Sequence, residues 1–337
     1  MQLPRFASVP NQPSPHMLVI AFGMVVVPAF DSAVGQHYPS RPITAIVPNA
    51  AGGGTDIVAR ILTDKMKEVL GQPIVVENVP AAAGTVGVGR LAKASPDGYT
   101  IAIGDQTSFV ISSIAYKTSY DVLTDFEPIA LLSTSAGVLV ARRTMPPANV
   151  KELIAWAKEN PGGATVATFG RGSGPFISAI ALQNMAGIRL RAVTYQGVAA
   201  GLQDLVADQV DLGIVEISGA IPHVRSGAVK AYGVLSNARA AAAPDLPTIE
   251  EAGGPPLRFV TWRGMWAPKG TPVDITERLN KSVVATLNDP GVQSRIAAAG
   301  QEIASKAMQT PQALAAYHKA SVETLAPQVK AAAAAEQ

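Results

Sequence analysis

The stretch from Ile43 to Leu70 constrains the fold more than any other. Ile43, Ala45, Ile46 and Val47 form a short apolar run, which reads as a buried parallel strand. Residues 48–56, with glycine at 52, 53 and 54, then break the pattern. From Ile57 the apolar residues Ile57, Val58, Ile61, Leu62, Met66, Val69 and Leu70 recur at helical spacing, and Gly71 and Pro73 end the helix. A glycine turn carries no side chains over the start of the helix. The first N–H groups therefore face open space with a positive partial charge, a seat for a small anion. Thr55-Asp56 after Gly54 departs from the Lys-Ser/Thr of a Walker loop, and Ile57 stands where the dinucleotide fingerprint needs glycine. From these residues alone two readings stay open: a tight turn with Asp56 as a helix cap, or a seat for a carboxylate.

Composition bounds the rest. At 337 residues the chain is at the limit of a single core, and two domains are expected. The net charge is +2, with no basic run and no aromatic-basic interleaving, which argues against a nucleic-acid partner. The absence of cysteine removes disulfides, thiolate catalysis, thiolate metal sites and lipoprotein anchoring. Residues 1–36 read as a signal peptide: residues 17–30 are apolar but too short to span a bilayer, and Ala33-Val34-Gly35 offers small residues for cleavage. The mature chain is then expected in the periplasm.

The strand–turn–helix order repeats. Strands are expected at 74–77, 99–103, 136–141, 164–169, 192–195 and 210–215, with helices after most of them. This is the pattern of a parallel α/β sheet, in which ligands gather at the carboxyl ends of the strands. Gly104-Asp105-Gln106-Thr107, Gly170-Arg171-Gly172-Ser173-Gly174, Gln196-Gly197 and Glu216 all stand at such ends. The last part is helical, with Thr271-Pro272, Asp289-Pro290 and Thr310-Pro311 as helix starts and a frayed alanine-rich tail over 330–337.

Catalytic signals are sparse. The four histidines show no metal-ligand spacing, and no Gly-x-Ser-x-Gly elbow exists. No catalytic residue, metal or cofactor is assigned. Asp56, Asp105 and Glu216 follow strands and offer acid–base groups, but structural roles are the favoured account of each, capping for Asp56 and turn bonding for Asp105. Arg171, inside a glycine turn, either forks onto a carboxylate or points to solvent.

The chain resembles the Bug, or tripartite tricarboxylate transporter, family of periplasmic solute-binding receptors. The likeness runs from Tyr38 to Pro327. It is carried by Tyr38-Pro39-Ser40-Arg41-Pro42-Ile43, the loop over 48–56, Ser95-Pro96-Asp97-Gly98-Tyr99-Thr100, Asp125-Phe126-Glu127-Pro128-Ile129-Ala130, Tyr195-Gln196-Gly197, Asp245-Leu246-Pro247-Thr248 and Ala267-Pro268-Lys269-Gly270-Thr271-Pro272. Departures are Arg171 in the second-lobe turn and Ala81-Ala82-Ala83-Gly84 in place of the usual Gly-Ala-Gly-Gly. The resemblance implies an α/β, type II periplasmic-binding-protein fold. Two lobes, 38–140 plus 260–337 and 141–259, are joined by a two-strand hinge, with the ligand in the cleft. It implies a monomeric receptor, not an enzyme, that passes a small organic acid to membrane permease subunits. It places the ligand against Asn49, Ala51, Gly52, Gly53, Thr55 and Asp56, supported by Asp105, Gln106 and Thr107. Arg171, Gly172, Ser173, Gly174, Tyr195, Gln196, Gly197 and Glu216 face them from the second lobe. The alternatives are a periplasmic enzyme acting on a carboxylate and a ligand-presenting partner of a sensor kinase.

Overall fold

Apolar period and turn chemistry build a mixed α/β sheet, seen in a computed structural model that describes residues 38–170 and 173–334. The signal-peptide segment, Arg171 and Gly172 lie outside the described residues. The first half of the chain comprises β1 (Ile43–Val47), α1 (Gly54–Leu70), β2 (Ile74–Asn78), α2 (Thr85–Ala92), β3 (Thr100–Asp105), α3 (Ser112–Ala115) and β4 (Phe126–Arg142). The middle comprises α4 (Val150–Glu159), β5 (Thr165–Thr168), α5 (Gly174–Ala186), β6 (Arg191–Thr194), α6 (Val198–Val206), β7 (Leu212–Glu216), α7 (Ile217–Arg225) and β8 (Val229–Val234). It closes with β9 (Val260–Pro268), α8 (Val273–Leu287), α9 (Pro290–Ala298), β10 (Glu302–Ile303) and α10 (Pro311–Ala334).

The strands lie in the order β2-β1-β3-β9-β4-β7-β5-β6, with β8 and β10 also paired to β4. β4 and β9 join the two halves of this sheet. Each half is covered on both faces. Around the first, Val58, Leu62 and Met66 of α1 pack with Leu279 and Val283 of α8 on one face, and Leu91 and Phe109 pack with Trp262, Trp266 and Leu314 on the other. In the second half Leu139, Leu182 and Ile214 lie on one face, and Val138, Leu202 and Val215 on the other.

Several elements differ from expectation. The strand expected at 136–141 begins at Phe126 and runs 17 residues. Its buried Ser133 and Ser135 hide the apolar period, and Pro128 is accommodated where the pairing with β9 shifts register. β8 and the two-residue β10 were not anticipated. The alanine-rich tail remains helical to Ala334. The first helix starts inside the glycine run, at Gly54 rather than Ile57.

His318 of α10 is a core residue. Its Nε2 lies 2.8 Å from the Phe109 carbonyl, which can only accept, so Nε2 carries the proton. Its ring stands edge-on to Trp262 and Trp266, with centroids 5.7 Å away in both cases. Burial pushes its pKa below 6.5, despite the bond to Phe109. The unfolded chain then binds a proton near pH 6.5 that the folded chain refuses. Stability is therefore complete above that pH and falls as pH drops below it. Melting curves between pH 7.5 and 5 should show this slope, and His318→Gln should flatten it. The carboxylates with depressed pKa values, Asp56, Asp64, Asp211, Glu251 and Asp289, act only at lower pH.

Candidate ligand-binding site

The register of the sheet decides where the turns meet. β3 is parallel to β1 and antiparallel to β9, and β9 is antiparallel to β4, so β1, β3 and β4 share one direction. β7 is antiparallel to β4 and parallel to β5, which is parallel to β6. The carboxyl ends of β1 and β3 therefore point toward those of β5, β6 and β7. β3 ends at Asp105, level with Arg263 of β9 and, across it, Ser133 of β4. β7 ends at Glu216, level with Gly137 of β4. Ser133 and Gly137 are four residues apart, about 13 Å along an extended strand.

On the first side, α1 starts at Gly54 with Gly53 as its N-cap and no side-chain cap. Helix geometry leaves its first N–H groups without partners in the helix. The chain before them is held by acids. Asp56 is buried; its Oδ2 accepts from the Gly52 N–H (2.8 Å) and Arg60 Nε (2.9 Å), and its Oδ1 from Asn78 Nδ2 (2.9 Å). Burial opposes its charge, but the bonds from Arg60, Gly52 and Asn78 win and hold its carboxyl below the usual range. Asp105 binds the loop to the end of β3. Its Oδ2 accepts from Asn49 Nδ2 (2.9 Å) and Thr55 Oγ1 (3.0 Å), and its Oδ1 accepts from the N–H and hydroxyl of Ser108 (2.9 Å each). Both acids thus shape the loop. Ala51, Gly52 and Gly53 are exposed, while Gln106 and Thr107, half-buried, begin the helical turn after β3.

On the second side, Ser173 caps α5 through its hydroxyl, which accepts from the Phe176 N–H, and Gly174 opens that helix. Gly174 must lack a side chain because a Cβ would lie 2.3 Å from the Phe259 ring. Tyr195 donates its hydroxyl to Asp204 at 2.9 Å. Burial and that carboxylate push its pKa up to about 12, so it stays a donor. Gln196 is exposed, and Gly197 is the N-cap of α6.

One contact bridges the gap. Glu216, the N-cap of α7, accepts at Oε2 from Arg263 Nη2 at 2.6 Å. Arg263 is 1% exposed and Glu216 26%. Arg263 Nη1 donates to Gln301 Oε1 at 2.8 Å. A Cβ on Gly54 would lie 2.8 Å from Arg263 Nη2 and 3.3 Å from both Gln301 Nε2 and Glu216 Oε2. Gly54, Arg263, Glu216 and Gln301 therefore meet at one point. Sequence reasoning found Glu216 and missed Arg263 and Gln301. A signal for Arg263 existed: it is a charge amid Trp262, Met265 and Trp266, and a buried charge requires a partner. Among the described residues no group of His, Asp and Glu could hold a metal ion. A surface depression of about 690 Å³, lined by Thr85, Arg90, Lys93, Lys117 and Tyr120 among others, shares no residue with this site.

Facing helix starts at opposed strand ends, on two α/β halves linked by β4 and β9, define the type II periplasmic-binding-protein fold. The profile of the tripartite tricarboxylate transporter family receptor matches residues 58–328. Among solved structures, the periplasmic binding protein BugD is 39% identical with a TM-score of 0.78, covering 88% of this chain and 99% of that one. MatC from Rhodopseudomonas palustris, with bound malate, is 34% identical with a TM-score of 0.78, covering 87% and 100%. Rpa4515 from R. palustris, with adipate, is 29% identical with a TM-score of 0.80, covering 88% and 98%. The chain belongs to the tripartite tricarboxylate transporter receptor family.

Proposed function

We propose that the chain is a periplasmic receptor that captures a small organic carboxylate in the gap between the facing turns and delivers it to the membrane permease subunits of a tripartite transporter. The observation that carries this reading is the head-to-head approach of the strand ends, each followed by a helix start. The lobes of this reading are 38–140 plus 260–337 and 141–259, and residues 1–36 are its export signal. Malate and adipate in two family structures support the ligand class. Main-chain amides of residues 51–55 take one carboxylate, replacing its water with hydrogen bonds of roughly 1.5–3 kcal/mol each. Asn49, Asp56, Asp105, Gln106 and Thr107 hold that loop. The turns at 170–174 and 195–197 supply contacts made only when the lobes close, so the ligand shifts the population toward the closed form. Binding is favoured over turnover because two of the three candidate acids, Asp56 and Asp105, have both oxygens committed to the loop, and the third, Glu216, is paired with Arg263.

Thermal melting with malate, adipate, succinate, citrate, glutamate and benzoate tests this. At about 100 times its dissociation constant, a ligand should add about 2.7 kcal/mol. That corresponds to roughly 4 °C for a chain of this size. Dimethyl esters of the active acid should have no effect. If no acid in the panel raises the melting temperature, the receptor reading fails.

A further inference from the structure

The geometry points to Arg263, with Gln301, as the cationic part of the ligand seat, and to Glu216 as a resident stand-in whose place at Arg263 the ligand carboxylate takes. This rests on the carboxylate reading above and deepens it.

In a guanidinium, Nε–H and the neighbouring Nη2–H point the same way and form a fork that fits both oxygens of one carboxylate. Here that fork is half used. Nη2 donates to Glu216 Oε2 at 2.6 Å, while Nε is buried without a partner among the described residues. Gln301 is 3% exposed, and its Nε2 is likewise a buried donor without a partner. Ser133, 0% exposed and level with Arg263 across the sheet, carries a third such polar atom, its Oγ. Buried polar atoms left unpaired are rare and need a reason. The Arg263 guanidinium and the Gln301 amide meet beside Gly54, at the start of α1, where the first N–H groups have no partner within the helix. Arginine, helix start and amide together form an anion site. One protein carboxylate already reaches into it from the opposite half, and does so with one oxygen. Along β9, Thr261, Arg263, Met265 and Ala267 alternate with Trp262, Gly264 and Trp266. Arg263 therefore lies on the sheet face that α1 covers. A ligand carboxylate that replaces Glu216 gains both teeth of the fork and frees Glu216, which is already partly exposed.

Calorimetry with malate and adipate, on the whole protein and its variants, tests the exchange. Glu216→Gln removes the competitor and should bind the active acid at least threefold tighter than the wild type. Arg263→Gln alone leaves the Glu216 carboxylate without its cation and risks misfolding, so Arg263 is tested in the double variant Arg263→Gln, Glu216→Gln. That variant should keep its circular dichroism and lose at least 100-fold in affinity relative to Glu216→Gln. The ¹⁵N–¹H resonance of Arg263 Nε should shift on saturation of the wild type. Unchanged or weaker binding by Glu216→Gln, or a double variant that binds like Glu216→Gln, or an unmoved Nε resonance, overturns the exchange while leaving the receptor reading intact. A wild type that binds neither acid, nor any other in the panel, takes down both.

Discussion

Gly54→Ala is expected to abolish high-affinity ligand binding and to lower stability, although alanine is the better helix former. At an open helical position the change from glycine gains roughly 0.5–1 kcal/mol. At Gly54 the new methyl lies 2.8 Å from Arg263 Nη2 and 3.3 Å from Gln301 Nε2 and Glu216 Oε2. Arg263 is enclosed at 1% exposure and bonded to both Glu216 and Gln301, so a shift of its guanidinium disturbs those bonds. Overpacking of this kind costs about 1–3 kcal/mol. The methyl also stands where the loop amides and Arg263 converge, so a loss of at least about 3 kcal/mol in binding, more than 100-fold, should accompany it. Its neighbours provide the contrast. A Cβ on Gly53 lies 3.3 Å from the Ala50 carbonyl, so Gly53→Ala should cost less than tenfold in affinity. Gly52 has φ +78° with nothing within 4 Å of a Cβ. Gly52→Ala should therefore cost about 1–2 kcal/mol of stability through backbone strain and little affinity. Melting temperatures and titrations on the three variants give the ranking, and a Gly54→Ala protein that melts and binds like the wild type would show that this corner is not the seat.

The three adjacent glycines also show what can be read from a sequence and what cannot. That a glycine turn joins a strand to a helix was visible, because the apolar period changes at that point. Which glycine matters was not visible, since the crowding at Gly54 comes from residues 216, 263 and 301, brought there by sheet register. The same limit explains the sites that were missed. β9 is rich in apolar residues, Trp262, Met265 and Trp266 among them, and that apolar signal masks the one buried charge within it. Gln301 sits in the turn between α9 and β10, where nothing local marks it. β4 was recognised only at its apolar end, because Ser133 and Ser135 interrupt the pattern although both are buried. Asp56 reads from the sequence as a helix cap; the N-cap is instead Gly53, and Asp56 sits in the first turn and accepts from the Gly52 N–H. Local physics wrote the elements, and pairing between distant segments wrote the site.

Asp105 carries the other large expected effect, and it separates scaffolding from ligand contact. Its carboxylate joins Asn49, Thr55 and Ser108, so it ties the loop after β1 to the end of β3 and to the turn that follows. Asp105→Ala leaves several buried donors unpaired, each of which was bonded to a charge. The expected cost is about 3–5 kcal/mol, a fall of roughly 5–8 °C in melting temperature. Asp105→Asn should be milder. Asn49 Oδ1 is buried without a partner, so a turn of the Asn49 amide presents that oxygen to the new side-chain NH₂, and the Thr55 hydroxyl can reverse its donation. A cost of about 1–2 kcal/mol follows. The two substitutions should differ again in binding. Asp105→Asn removes a negative charge from beside an anion seat, so affinity should hold within about tenfold even as stability drops. If Asp105 instead touched the ligand through a donor on the ligand, the same change would weaken binding by more than that with the fold intact. Paired melting and titration data on the two variants place Asp105 in the wall of the site or at its surface.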